Sequence, residues 1–260
     1  MYFSNNKHFS KELLDSIEVS KNFPHSYIEY GNIIKEYFNS EENKNHINDT
    51  LEYGNWQEIS LCPLNKLNID LFEVHKNRIS TRSFSSPMNL QDLSNLIQGA
   101  YHFIDNNRRN FPVGGGIYSI DVFFINLNIR ELEKGVYVFN PRNNTLLKKP
   151  NPNNYLEQNF WEDVNKSFPI ELDKHIDFKN SSGVIVFASM INKLSAKYKD
   201  RGFRIGMIEV GALMQNFYLS ASYFNIGCCA YYAYFDDNLG QFLTLNPPYE
   251  LVSLSLIIGK

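Results

Sequence analysis

The sequence predicts an α+β domain behind an N-terminal extension, and three observations carry that prediction. Five runs of strand length are dense in aromatic and β-branched residues, at 118–128, 135–139, 183–191, 228–235 and 251–259. One stretch, 196–224, is helical in texture and unusually apolar after Phe203. The chain has 260 residues, 43% hydrophobic and 20% charged, which suits one core-bearing domain with an extension, or at most two small domains.

Residues 1–70 form the extension, helical or irregular. They are rich in Asn, Lys and Tyr, and NSEENKNHINDT at 39–50 has too few apolar groups to fold alone, so it reads as a linker or loop between two short helices. The texture changes at Leu71, where the domain spanning 71–260 begins. Leu90, Leu93, Ile97 and Ala100 share one face of a predicted core helix that Ser86 or Asn89 can cap, just after Pro87. YSIDVFFINLN and GVYVF follow as strands. Residues 141–180 are polar and interrupted by Pro141, Pro150, Pro152 and Pro169, with Phe160 and Trp161 standing out. A loop or helical flap facing a substrate is expected there. GVIVFASMI is the next strand. In the helical stretch that follows, Met207, Val210, Met214 and Phe217 lie on one side, with Ile208, Leu213 and Leu219 elsewhere. A helix apolar around much of its girth is buried on several sides, as a central helix or at a dimer interface. CCAYYAYF and LVSLSLIIG close the chain as strands, and no internal repeat is visible.

Composition excludes several function classes. Lys and Arg number 25 against 28 Asp and Glu, a formal charge of −3, which gives no reason to expect a nucleic-acid binder held by phosphate attraction. The N-terminus lacks the apolar run of a signal peptide, and no segment is long and apolar enough to span a bilayer, so a cytoplasmic protein is expected. Cys228 and Cys229 point to opposite faces if their segment is a strand, and with Cys62 they read as buried, reduced thiols. The six histidines are scattered without a pair at ligand spacing, so no metal site is expected. Neither a GxSxG elbow nor a GK[ST] phosphate loop occurs.

Three segments can carry chemistry. In NRISTRSF, an extended chain would place Arg78, Ser80, Arg82 and Phe84 on one side. Two guanidiniums and a hydroxyl there suit a phosphate, although a solvated basic strand edge is the other reading. In RRNFPVGGGIY, Gly114, Gly115 and Gly116 follow Pro112 and Val113 into a strand. Glycines admit close approach of backbone to a flat ligand, and a flexible hairpin is the alternative. In KYKDRGFR, Lys197, Arg201 and Arg204 fall at helical spacing, and Asp200 can pair with Arg204. Lys197 adjoins Tyr198, and an ammonium beside a phenol favours the phenolate, which makes tyrosine a candidate general base; a solvated helix end would look the same.

Taken together and in this order, these segments resemble the SagB-type azoline dehydrogenases, flavoproteins of the nitroreductase superfamily that include the dehydrogenase subunits of microcin synthases. Arg78, Ser80, Arg82 and Phe84 look like the superfamily's opening FMN signature, and Arg108 to Gly116 resemble its loop beside the isoalloxazine ring. KYKDRGFRIGMIEVGALMQN is the most specific match: a Lys–Tyr pair, RG[YF]R, then Glu209, Gly211, Gln215 and Asn216. FDD at 235–237 and the terminal IIGK follow the same order. The likeness covers about 71–260. Val113 departs from the usual loop serine, and Tyr234 stands where glycine is common.

The resemblance implies a central, mostly antiparallel sheet flanked by helices, in a homodimer with a long central interface helix and two FMN sites. Arg78, Ser80 and Arg82 would hold the phosphate and ribityl chain. Pro112, Val113, Gly114, Gly115, Gln215 and Ala233 would also contact FMN. Tyr198 would remove the Cα proton of a thiazoline or oxazoline while hydride leaves to the flavin, with Lys197 holding the tyrosine ionised or oriented. Molecular oxygen is the expected final acceptor. The substrate would be a ribosomally made precursor peptide, cyclised by a cyclodehydratase in lasting complex with the chain. Two alternatives stay open: an NAD(P)H-dependent reductase of a small electrophile or dehydroamino acid, and a flavin-less structural subunit of a peptide-modifying complex.

Overall fold

The computed structural model describes residues 56–105, 108–152, 155–170 and 173–260. Of the extension expected over residues 1–70, the linker at 39–50 and the helix before it lie outside the described residues, and 56–70 hold a strand and no helix. Strand β1 is Gln57–Ser60, followed by helices α1 (Leu71–Asn77) and α2 (Leu90–Ala100), the short pair β2 (Phe103–Asp105) and β3 (Arg108–Arg109), and strands β4 (Ile120–Asn126), β5 (Gly135–Asn140) and β6 (Thr145–Lys148). Helix α3 (Glu157–Ser167), β7 (Gly183–Met190), α4 (Ile191–Tyr198), α5 (Arg201–Tyr223), β8 (Gly227–Tyr231), α6 (Asp236–Leu243) and β9 (Glu250–Gly259) complete the order.

Seven strands form one sheet in the order β1-β6-β5-β4-β7-β9-β8, with every neighbouring pair antiparallel. This is the α+β architecture expected. Residues 57–60, assigned by sequence to the extension, pair with β6 as the sheet's edge. Central strands β4 and β7 are buried along their whole length, which is why they read as continuous apolar runs rather than alternating ones. Alternate residues of each strand feed two cores. Phe124, Ile185, Leu256 and Cys228 pack with Leu93 and Ile97 of α2 and with Val210, Leu213 and Phe217 of α5. Phe123, Val184, Ile257 and Cys229 pack with Phe160 and Val164 of α3 and with Leu239 and Phe242 of α6. The adjacent cysteines thus face opposite cores as free thiols.

Asn89, one of the two candidate caps, starts α2: its side chain accepts the Asp92 N–H while the Asp92 carboxylate accepts the Asn89 N–H. Three expectations are corrected. Residues 141–180 contain β6 as well as a helix, and Phe160 and Val164 of α3 fill the core, so this stretch is part of the fold rather than a flap. The helix expected over 196–224 is two helices. Lys199 adopts φ +50°, breaking the chain after Tyr198, so Lys197 does not share a helix face with Arg201 and Arg204. Phe84 leaves the side of Arg78, Ser80 and Arg82. It is buried against Gly227 and Gly259, because an aromatic ring gains more from the core than from the wet segment it terminates.

The break brings α4 back onto α5. A methyl group on Gly202 would sit 2.8 Å from the Leu194 carbonyl carbon, so only glycine lets the two helices meet this closely. Gly206, one turn later, contacts the end of the same Leu194 side chain, where a methyl would stand 3.1 Å from Cδ1. These two glycines set the position of Tyr198, the last residue of α4.

Candidate functional site

The glycine loop lies between β3 and β4. Phe111 is buried, Pro112 is exposed, and the Val113 side chain packs against the core, so the missing serine hydroxyl is replaced by an inward apolar contact. Gly114–Gly116 make one tight turn in which Gly115 and Gly116 have φ of +61° and +73°. The Gly114 N–H donates to Glu209 Oε1 at 2.7 Å, and Ser119 Oγ donates to Oε2 at 2.8 Å. Glu209 projects from α5 and is only 2% exposed. Burial pushes its carboxyl above the usual range, while the Gly114 N–H and the Ser119 hydroxyl and main-chain N–H pull it back.

Lys197 and Tyr198 stand directly over this loop. A methyl on Gly115 would fall 2.3 Å from Lys197 Nζ and 2.5 Å from the Tyr198 hydroxyl. One on Gly114 would fall 2.7 Å from Ile205 Cγ2, 3.3 Å from Glu209 Oε1 and 3.8 Å from Tyr198 Cε2. Lys197 Nζ lies 5.1 Å from the centre of the Tyr198 ring. Burial lowers the Lys197 ammonium from the ordinary lysine range. The pair and the loop, more than 80 residues apart in sequence, thus converge on one surface whose floor is bare backbone.

Arg78, Ser80 and Arg82 gather elsewhere, along β8. Thr81 N–H donates to the Cys228 carbonyl at 2.9 Å, so the segment runs beside the strand. Ser80 Oγ and Tyr218 Oη are 3.1 Å apart, Tyr218 accepts the Ala230 N–H at 2.7 Å, and the Arg78 guanidinium lies 5.4 Å over the Tyr218 ring. Arg82 is exposed, close enough to pull the Cys229 thiol down against the stronger upward push of burial. This is a cationic, hydroxyl-bearing surface suited to an anion. Gln215 projects from the exposed face of α5, and Ala233 is exposed on the connection from β8 to α6. The contacts gather neither of them to the two clusters. Asn216 is structural instead, donating to the Ala100 and Asn110 carbonyls at 3.2 and 3.0 Å. Tyr234 is half-buried against the second core, and burial first, then Asp236 and Tyr232, push its phenol up to about 12.

Sequence reasoning gave no role to Glu209, Ser119, Tyr218 or Arg109. Arg109 is 4% exposed, between the rings of Tyr101 (4.7 Å) and Tyr118 (4.3 Å) and within reach of Asp121, with burial lowering its guanidinium to about 10. It braces the start of the loop. Glu209 had a legible signal, a lone carboxylate between Ile208 and Val210 in an apolar helix. Among the described residues, no group of His, Cys, Asp or Glu could hold a metal ion, and no helix is long and apolar enough to cross a membrane.

A sequence model of the Nitroreductase family matches residues 76–260. The chain is 26% identical over 212 residues to a protein of Methanocaldococcus jannaschii named as a nitroreductase, covering 80% of this chain and 98% of that one. It is 25% identical over 193 residues to the microcin B17-processing protein McbC of Escherichia coli, covering 72% of this chain and 60% of that one. Among solved structures, a chain of the Escherichia coli microcin synthetase McbBCD complex with truncated precursor bound superposes with a TM-score of 0.61 at 19% identity, covering 96% of this chain and 99% of that one.

Proposed function

Because the chain belongs to the nitroreductase family, whose members are oxidoreductases that bind flavin, we propose that it is an FMN-dependent dehydrogenase of the SagB type. It oxidises thiazoline or oxazoline rings to thiazole or oxazole in a ribosomally made peptide. The observation that carries this reading is the contact of Lys197 and Tyr198 with Gly115. A reductase needs no base, whereas aromatising an azoline requires loss of a proton as well as a hydride, and a tyrosine held as phenolate by a neighbouring ammonium can take that proton.

The residues present fit FMN. Lys197 and Tyr198 close directly on Gly115, whereas a methyl on Gly116 would meet nothing within 4 Å, so exposed glycine backbone beside the pair is open to a flat ring. Arg78, Ser80 and Arg82 supply the charge and hydroxyl for its phosphate and ribityl chain. When bound, FMN supplies the two-electron acceptor. Tyr198 takes the Cα proton of the azoline at its hydroxyl oxygen, and the Lys197 ammonium stabilises the tyrosine oxyanion and fixes the ring. Exposed Gly115 and Gly116 would offer backbone to its ring, with Pro112 and Val113 preceding them in the loop, while the N–H of Gly114, expected to join them, is committed to Glu209.

The clusters at Tyr198 and Tyr218 are both set by α5, whose opposite face carries Arg204, Ile208, Gly211 and Gln215 into solvent. Ile208, 72% exposed, is the apolar member of this face, in the first half of the 23-residue helix. We assign this face to a homodimer contact. The likeness to a microcin-processing protein supports a peptide substrate and a complex with a cyclodehydratase.

The test is the visible spectrum of purified protein beside that of Tyr198→Phe, each assayed on a cyclised peptide. Yellow protein is expected from both, with azole formation reduced by about 10²-fold or more in the variant. A colourless wild type that cannot be reconstituted, or a fully active variant, overturns the proposal. Rapid bleaching by NADPH would point to the reductase instead.

A further inference from the structure

We infer that Glu209 is a positioning residue that holds the 114–119 turn in its ligand-ready shape beneath Tyr198. It carries no assigned role in the reading above, and the inference rests on that reading only for its cofactor readout. Two hydrogen bonds converge on this one buried side chain, from the Gly114 N–H to Oε1 at 2.7 Å and from the Ser119 hydroxyl to Oε2 at 2.8 Å, and the Ser119 main-chain N–H adds to their pull on its proton affinity. Gly114 stands at the entrance of the turn and Ser119 just before β4. A single acceptor-only group therefore clamps both ends of the stretch that meets Lys197 and Tyr198 at Gly115. With Gly114 committed to Glu209, exposed Gly115 and Gly116 form the face turned to a ligand.

The chemistry demands a carboxylate. Both of its oxygens accept, so donors at the two ends of the turn are answered together. An amide keeps one acceptor for Gly114 but must turn its NH2 to the Ser119 hydroxyl, which then accepts instead of donating, so the turn loses the charge-assisted bonds of the carboxylate. A carboxylate buried to this degree is costly, and burial raises its proton affinity. Its retention here is consistent with a role in shaping the loop that a packed apolar side chain would not fill.

Glu209→Gln separates positioning from mere structure, because it keeps volume and removes only one acceptor and the charge. In flavin-free protein, the Gly114 amide is expected to exchange hydrogen about tenfold faster than in wild type, while amides in the middle of α5 keep their protection. FMN affinity, read from quenching of flavin fluorescence, should fall about tenfold, with no loss of Tm. Ser119→Ala, which leaves both main-chain donors in place, should weaken FMN binding less. Unchanged Gly114 exchange and unchanged FMN affinity in Glu209→Gln overturn the inference, as does a lowered Tm with exchange accelerated evenly along α5. If wild-type protein takes up no FMN, the proposed function fails, and the Gly114 exchange rate alone decides the role of Glu209.

Discussion

Gly115 is the residue on which the site turns. Its φ of +61° lies in the region that side chains with a Cβ enter at a cost of about 1 kcal/mol or more, and the added methyl would overlap Lys197 Nζ and the Tyr198 hydroxyl. Gly115→Ala is therefore expected to lower stability by about 1–2 kcal/mol in a denaturant titration. It should also abolish flavin uptake, because the methyl displaces both site side chains from the loop. At Glu209 the sign of the pH dependence can be worked out. Its folded proton affinity is raised, so its contribution to stability is complete below the unfolded carboxylate range and is lost as pH rises through the folded value. Glu209→Gln does not titrate. Its Tm relative to wild type should accordingly be more favourable at about pH 8 than at about pH 4, and a difference that shrinks with rising pH would contradict this.

At the scale of elements, the contact between α4 and α5 delivers Tyr198 to the glycine loop. Lys199 turns the chain, and Gly202 lets α5 approach the Leu194 carbonyl. Gly202→Ala adds helix propensity but places its methyl 2.8 Å from that carbonyl carbon, and helix backbone cannot yield locally as a flexible side chain can. The expected net cost is about 1–3 kcal/mol, measured by urea unfolding. A larger loss of azole formation than of stability should accompany it, because α4 is pushed away with Tyr198 on its last turn. A variant as stable and as active as wild type would show that the close crossing is not what positions the tyrosine. Helices α3 and α6, by contrast, fill the opposite core through Phe160, Val164, Leu239 and Phe242.

For the whole molecule, the sheet separates two cores, and the candidate site lies on the side of α5. That helix is buried through Val210, Leu213 and Phe217 and open through Ile208, Gly211 and Gln215. If the open face joins two copies, Ile208→Glu should shift the mass measured by light scattering from dimer to monomer and weaken FMN binding in parallel. A dimer unaffected by this charge would move the interface to another surface. Exposed Phe72 and Ile79, at 81% and 66%, offer a second apolar surface near the chain's beginning.

The sequence by itself determined the strands at 118–128, 135–139, 183–191 and 251–259, because strands buried on both faces leave an apolar run that needs no partner to be recognised. It also singled out the three chemistry-bearing segments, since glycine runs, paired arginines and a Lys–Tyr dipeptide are unusual wherever they fold. It could not tell β6 from loop, because four residues carry too little pattern. Nor could it break the helix at Lys199, where a positive φ is imposed by packing rather than by residue type. Only the tertiary structure decided which segments meet: the glycine loop with Lys197 and Tyr198, the arginines with Tyr218 along β8, and Gln215 with neither. Proximity across 80 or more residues depends on how helices cross and strands register, and local preference holds no record of it. The role of Glu209 has the same origin, for a carboxylate in an apolar helix reads as an oddity until the two ends of the turn it clamps are folded against it.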